Sequence, residues 1–281
     1  MIKTLKLNLF WRELVLFGLT QVLGIVVAER YLFGLAGSSL RAPEVAFKFS
    51  GADWILSALV VALFVWAVLN KHRASRIIFK VFFWLVIIGG AQIIFSVWFP
   101  PLCALLMTIG LIVLMLKSRS VLIQNLAVLL AMAGMGVVLG LSISPLIAVW
   151  GLLILSFYDI IAVYVTKHMV KMAKGMAESG AVFGFIVPFE WSGFREHVKK
   201  AKREKFMILG SGDIALPLVM AVSAMSISVA HAWIVALFSM IGLFLTHLLF
   251  VNQSQRRPMA ALPPIAMMAI VGYLVALILP F

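Results

Sequence analysis

Apolar stretches close to the roughly 20 residues that a helix needs to cross a bilayer recur along this chain, separated by short polar breaks. Nine are found, at about 14–33, 54–69, 77–99, 102–116, 121–141, 145–166, 206–230, 232–251 and 261–281; the second and fourth are short. The breaks are sharp at Pro100-Pro101, at Ser142 to Pro145 and at His231. Proline stops a helix because it carries no N–H and its ring clashes with the preceding turn. The first run follows Lys3, Lys6 and Arg12 and continues past any small-residue cleavage signal, so it is expected to stay as an anchor helix. The pattern predicts an all-α polytopic membrane protein with nine transmembrane helices, a single domain over 1–281 whose one substantial connection is 168–205.

Charge orients that picture. With the N-terminus in the cytoplasm, all of the 23 Lys and Arg residues except Arg30, Arg41 and Lys48 fall on the cytoplasmic side. Cytoplasmic loops carry the excess of Lys and Arg, so the N-terminus is expected inside and the C-terminus outside, which an odd number of spans requires.

Composition removes most other classes. The chain is 64% hydrophobic and 12% charged, with a mean hydropathy of +1.15, far from a water-soluble domain, which is about half apolar. Its net charge is +13, and most of the basic residues lie in the gaps between apolar runs, so membrane lipid, not nucleic acid, is the expected partner. The single cysteine, Cys103, builds neither a disulfide framework nor a cysteine metal site; it is expected to be buried filler. His231 and His247 lack partners at metal-ligand spacing, and there is no His-Glu-x-x-His; no metal and no cofactor are expected. Gly140 to Ser144 has the outline of a serine-nucleophile loop, but turn punctuation before Pro145 accounts for it. Gln21, Gln92, Gln124 and Asn125 are expected to hydrogen-bond between helices.

Only three aspartates occur, and two of them sit inside apolar runs: Asp159 in Ser156-Phe157-Tyr158-Asp159 and Asp213 in Gly210-Ser211-Gly212-Asp213. A carboxylate in hydrocarbon costs several kcal/mol, so an intramembrane acid points to a site. Asp159 precedes Lys167 by eight residues and Asp213 follows Lys205 by eight. On helices rising about 1.5 Å per residue, both acids then lie about 12 Å from a flanking charge, at matching depth on antiparallel neighbours. Gly210, Ser211 and Gly212 on one side, and Ser156 and Ala162 on the other, are small enough to let the two backbones approach. Two carboxyl groups in contact cannot both ionise cheaply, so they should share a proton. Such a pair supplies a general base for water and a proton donor for a carbonyl oxygen.

Tyr158-Asp159 on one span and Gly210-Ser211-Gly212-Asp213 on the next, in a nine-span chain, resemble the YD and GxGD motifs of the presenilin and signal peptide peptidase family, most of all its archaeal presenilin homologues. The resemblance covers the whole chain. It implies an intramembrane aspartyl protease in the cell membrane of an archaeon, cutting transmembrane protein substrates, with Asp159 and Asp213 as catalytic dyad. The family's third motif, Pro-Ala-Leu at the start of the ninth span, matches Ala260-Ala261-Leu262, with alanine in place of proline. Proline fixes φ and removes an N–H, so alanine there loosens the local geometry. No obligatory accessory subunit is called for, and homo-oligomerisation is left open.

Within the 168–205 connection, Val182 to Trp191 is apolar and flanked by basic residues, which predicts an interfacial helix or a gate over the site. Two other functions stay open from the residues alone. A GxGD membrane peptidase of the prepilin or preflagellin type also uses two aspartates, and a proton- or cation-coupled transporter or channel can relay protons through paired acids; no inverted repeat of interrupted helices favours the latter.

Overall fold

The computed structural model describes residues 7–36, 72–166, 182–198, 205–253 and 259–279. The expected second span, 54–69, lies outside the described residues, as does most of the 168–205 connection. Eight α-helices are described: α1 (Leu7–Ala36), α2 (His72–Trp98), α3 (Pro101–Ser118), α4 (Val121–Ser142), α5 (Pro145–Ile160), α6 (Ser211–Ala224), α7 (Val229–Val251) and α8 (Leu262–Ile278). Six of them, α1 to α5 and α7, are long and apolar enough to cross a membrane when the turn after α5 is included; α6 and α8 are shorter apolar helices.

Local chemistry starts and stops these helices where polar or proline residues fall. Ser120, Ser144 and Ser228 precede α4, α5 and α7, and each side chain accepts a backbone N–H three residues on, satisfying a donor that the first helical turn leaves open. Pro101 and Pro145 occupy the first helical position, where a missing N–H costs nothing. His231 lies inside the first turn of α7, not at a break as expected; Ser228 makes the break and its hydroxyl sits 2.7 Å from His231 Nδ1.

Helix α4 is the hub. It packs on α1, α2 and α6, and its Ala127, Ala131 and Ala133 are fully buried. At the α2 crossing, Gly90 faces Ala131 and Gly134 faces Gly90 so closely that a Cβ on either glycine would run into the other helix's backbone. Small residues at a crossing are how membrane helices gain packing without a hydrophobic driving force between them. Gln92 accepts from the Thr108 hydroxyl at 2.8 Å, and Gln21 donates to the Ile214 carbonyl at 3.2 Å, so these two amides bridge helices as expected. Cys103 is exposed on α3, not buried filler.

The all-α expectation needs correction. Gly184–Pro188 (β1) and Phe206–Gly210 (β2) form a two-stranded antiparallel sheet, Gly184 opposite Gly210 and Pro188 opposite Phe206. The apolar stretch from Val182 is therefore not an interfacial helix: every residue of β1 is buried, and a short 3₁₀ turn follows at Trp191–Arg195. Likewise 206–230 is not one helix but a strand, then α6, then a break before α7. A fully buried strand has no polar alternation, so five apolar residues cannot be told from helix by period. Gln124 and Asn125 also differ from expectation, because they bond to this strand segment instead of to another helix. Asn125 Nδ2 donates to the Ile186 carbonyl and its Oδ1 accepts the Ile186 N–H, both at 2.8 Å, while Gln124 donates to the Val182 carbonyl at 3.1 Å. The Asn125 amide thus stands in for a third strand on that edge of β1.

Candidate active site

The GxGD segment is a strand-to-helix junction. Gly210 ends β2, and Ser211, Gly212 and Asp213 are the first three residues of α6. At this third position the half-buried Asp213 turns back and its Oδ2 accepts the Gly210 N–H at 3.2 Å, the carboxylate half of a capping box. A methyl on Gly210 would lie 3.0 Å from that oxygen, whereas one on Gly212 would meet nothing nearer than Leu216 at 4.0 Å among the described residues. The helix-packing role expected of the two glycines is therefore not what the described neighbours show: the first makes room for the Asp213 carboxylate, and the second has open space at its Cα among the described residues. The equal-depth estimate changes for the same reason, since 206–210 rises as strand, at about 3.3 Å per residue.

Asp159 is placed by a different break. α5 ends one residue later, and Ile161–Val165 forms a π-helical turn closed by the Thr166 N–H on the Ile161 carbonyl at 2.9 Å. Such wider turns shift side chains off the α-helical register and are frequent at functional sites. Asp159 is 5% exposed, and its Oδ2 accepts the Leu262 N–H at 3.3 Å. Leu262 opens α8, so the Ala260-Ala261-Leu262 turn is brought to the first acid. Each carboxyl group thereby sits at the start of a helix, where free N–H groups and the helix dipole favour negative charge. α5 packs against both α6 and α8, so the helix that carries Asp159 lies against the helix that carries Asp213 and the one that opens at Leu262. Ser156 and Ala162 are buried near Asp159, while Tyr158 is 55% exposed. Ser156 Oγ finds no protein partner among the described residues.

Sequence reasoning passed over several buried polar groups. Glu13 on α1 and His247 on α7 meet at 2.7 Å, both with side chains fully shielded. Arg12 donates to the Pro188 carbonyl at 2.7 Å and stacks over Trp191 at 4.6 Å, clamping the end of β1 to α1. Their signal was present: Arg12 and Glu13 are adjacent charges at the mouth of the first apolar run. Among the described residues, no group of three or more His, Cys, Asp or Glu side chains could hold a metal ion.

A helical membrane bundle in which aspartyl groups on two packed helices each bind the N–H at a helix start has the architecture of an intramembrane aspartyl protease. The family model described as signal-peptide peptidase, presenilin aspartyl protease matches residues 14–280, and the chain belongs to that family of intramembrane aspartyl proteases. Two solved structures of a presenilin family intramembrane aspartate protease share its fold. The form in space group C222 has a TM-score of 0.56 at 22% identity, over 94% of this chain and 97% of that one. The P2 form has a TM-score of 0.58 at 23% identity, over 95% and 96%. A search of curated proteins finds no significant match.

Proposed function

We propose that Asp159 and Asp213 are the reacting pair of this protease and that it cuts peptide bonds inside transmembrane segments of other proteins. The observation that carries the reading is the placing of two carboxyl groups on packed helices, each accepting a backbone N–H at the start of a helix. One carboxylate takes a proton from water, whose oxygen attacks the scissile carbonyl carbon. The protonated partner gives its proton to the carbonyl oxygen, so that a neutral gem-diol forms without a free oxyanion. The first acid then returns its proton to the amide nitrogen as the C–N bond breaks, while the partner carboxylate takes back a proton from one hydroxyl of the gem-diol, leaving a new carboxyl, a new amine and the pair in its starting state.

A helical substrate amide is hydrogen-bonded and shielded, so the substrate must reach the pair extended. The sheet supports a place for it. Ile186 turns its N–H and carbonyl to Asn125, away from β2, so Ile208 opposite it turns its own groups to the far edge of β2. Gly210, two residues on, sends its N–H to the same side, toward Asp213. An extended segment added along that edge would run past the Asp213 carboxylate.

The wider reading is a single domain of nine spans, N-terminus inside and C-terminus outside, supported by the sorting of Lys and Arg. Its setting is a cell membrane, that of an archaeon by resemblance of the motifs. Cleavage of a tagged single-span substrate in detergent, by this chain and by Asp159→Asn and Asp213→Asn, tests the assignment. Cleavage by the parent alone, at a bond several residues inside the apolar segment, is expected; equal cleavage by all three ends it.

A further inference from the structure

The Leu262 N–H that binds Asp159 belongs to the same peptide unit as the Ala261 carbonyl. That peptide is trans, like all those described, so its N–H and carbonyl point in opposite directions from one rigid plane. Asp159 takes the N–H end at 3.3 Å. The other end is also held, because the Thr246 hydroxyl lies 3.3 Å from the Ala261 carbonyl oxygen and 3.0 Å from the Gly242 carbonyl of its own helix. One hydroxyl proton is shared between the two acceptors. Thr246 needs only the Gly242 bond to be satisfied in a buried position, and helical threonines commonly stop there. Reaching Ala261 as well ties α7 to the one peptide that touches Asp159.

Three features converge on that contact. One turn back on α7, Gly242 faces Ile265 and Pro264 so closely that a Cβ would lie 2.6 Å from Ile265 Cα, which seats the two helices at the distance the hydroxyl needs. One residue on, His247 is pinned to Glu13 of α1 at 2.7 Å, which fixes the end of α7. The turn itself has no means of its own, since Ala261 offers no side-chain cap to α8 and Ala260 restricts φ far less than proline does.

We propose that Thr246 is a positioning residue for Asp159, acting through the Ala261–Leu262 peptide: it fixes the rotation of that plane and, by donating to its carbonyl, strengthens the N–H as a donor to the carboxyl group. Hydrogen bonds in series polarise one another in this way. The inference rests on Asp159 being one of the reacting acids. It differs from a packing role, because valine keeps the volume and branching of Thr246 and removes only the hydroxyl.

The experiment compares kcat, KM and thermal midpoint in detergent for the parent chain, Thr246→Val, Thr246→Ala, Thr246→Ser and Asp159→Asn on one single-span substrate. Thr246→Val is expected to lower kcat roughly tenfold to a hundredfold, the scale of a small misplacement of a reacting group, with KM and the midpoint held near the parent. Thr246→Ser is expected to recover most of the loss. Parent-like kcat in Thr246→Val, alongside an inactive Asp159→Asn, overturns the role of Thr246 and leaves the acid pair standing. A loss confined to KM, or one that serine does not recover, overturns it too. If the valine variant does not fold, Thr246→Ala against Thr246→Ser decides by the same kcat criterion. Equal cleavage by the parent and Asp159→Asn instead overturns the reading of the pair.

Discussion

The two acids are anchored on different length scales, and that difference governs what the surrounding residues are for. Asp213 is held by its own chain: the N–H it accepts lies three residues away, at the junction of β2 and α6. Asp159 is held by an N–H 103 residues away, at the start of α8. The first geometry follows as soon as the strand ends and the helix begins. The second exists only when α5, α7 and α8 are assembled, which is why small residues and buried polar contacts crowd the α7–α8 interface. One carboxyl group is set by a turn and the other by a fold.

The hardest challenge to this comparison is to remove each acid in turn. If the pair acts as one unit, the difference in anchoring disappears at the level of chemistry. Asp159→Asn and Asp213→Asn should each lower kcat by at least about 10²–10⁴, the range for a lost general acid or base. The double variant should be no worse than either single one, as in other catalytic groups that work together. Additive losses, measured by single-turnover cleavage, would mean that the acids act in separate steps.

Support for the two junctions should fail in different ways. Asn125→Leu leaves the Ile186 N–H and carbonyl unpaired in a buried strand, at a cost of about 1–3 kcal/mol for each group. Because β1 carries β2, and β2 ends at Gly210, whose N–H binds Asp213, this variant should lower the thermal midpoint and activity together. Gly242→Ala strikes the other anchor. Its methyl meets Ile265 Cα, backbone that cannot swing aside, so α7 and α8 must part by some tenths of an ångström. Overpacking of this kind typically costs about 1–3 kcal/mol, and it should weaken the Thr246–Ala261–Leu262 path more than the sheet. Limited proteolysis distinguishes the cases: new cuts near 182–198 are expected for Asn125→Leu and not for Gly242→Ala.

How much of this was legible in the sequence follows the same division of scale. The buried acids and most of the apolar helices could be read, because a charge in a 20-residue apolar run is visible without knowledge of its neighbours. Phe206 to Gly210 could not be read as a strand, since Phe-Met-Ile-Leu-Gly is apolar at every position but the last and shows no alternation, even though Ile208 at its centre is exposed. The roles of Gly210 and Gly212 were misassigned as a direct result: placed inside a helix, they look like packing residues. The Glu13–His247 contact spans 234 residues, and no spacing rule connects positions that far apart. The same limit hid the approach of Leu262 to Asp159, although the motif resemblance pointed to that turn.

The finest test separates the two glycines of one motif, where the expected change in stability is smallest. Gly210→Ala places a methyl 3.0 Å from Asp213 Oδ2, tighter than an ordinary contact, and the carboxyl group must rotate off the Gly210 N–H to relieve it. About a tenfold fall in kcat is expected, equivalent to about 1.4 kcal/mol, with little change in KM because the β2 edge is left in place. Gly212→Ala meets only Leu216, at 4.0 Å, among the described residues, and alanine in a helix is favoured over glycine by roughly 0.5–1 kcal/mol, so its thermal midpoint should hold or rise. Its methyl nevertheless enters space that is open among the described residues, one residue before Asp213; if an extended substrate on the β2 edge passes there, a raised KM is the expected mark. Opposite signatures in one assay, kcat for position 210 and KM for position 212, would tie the first glycine to the carboxyl group and the second to the substrate. A lowered midpoint for Gly212→Ala would instead return that residue to the packing role first read from the sequence.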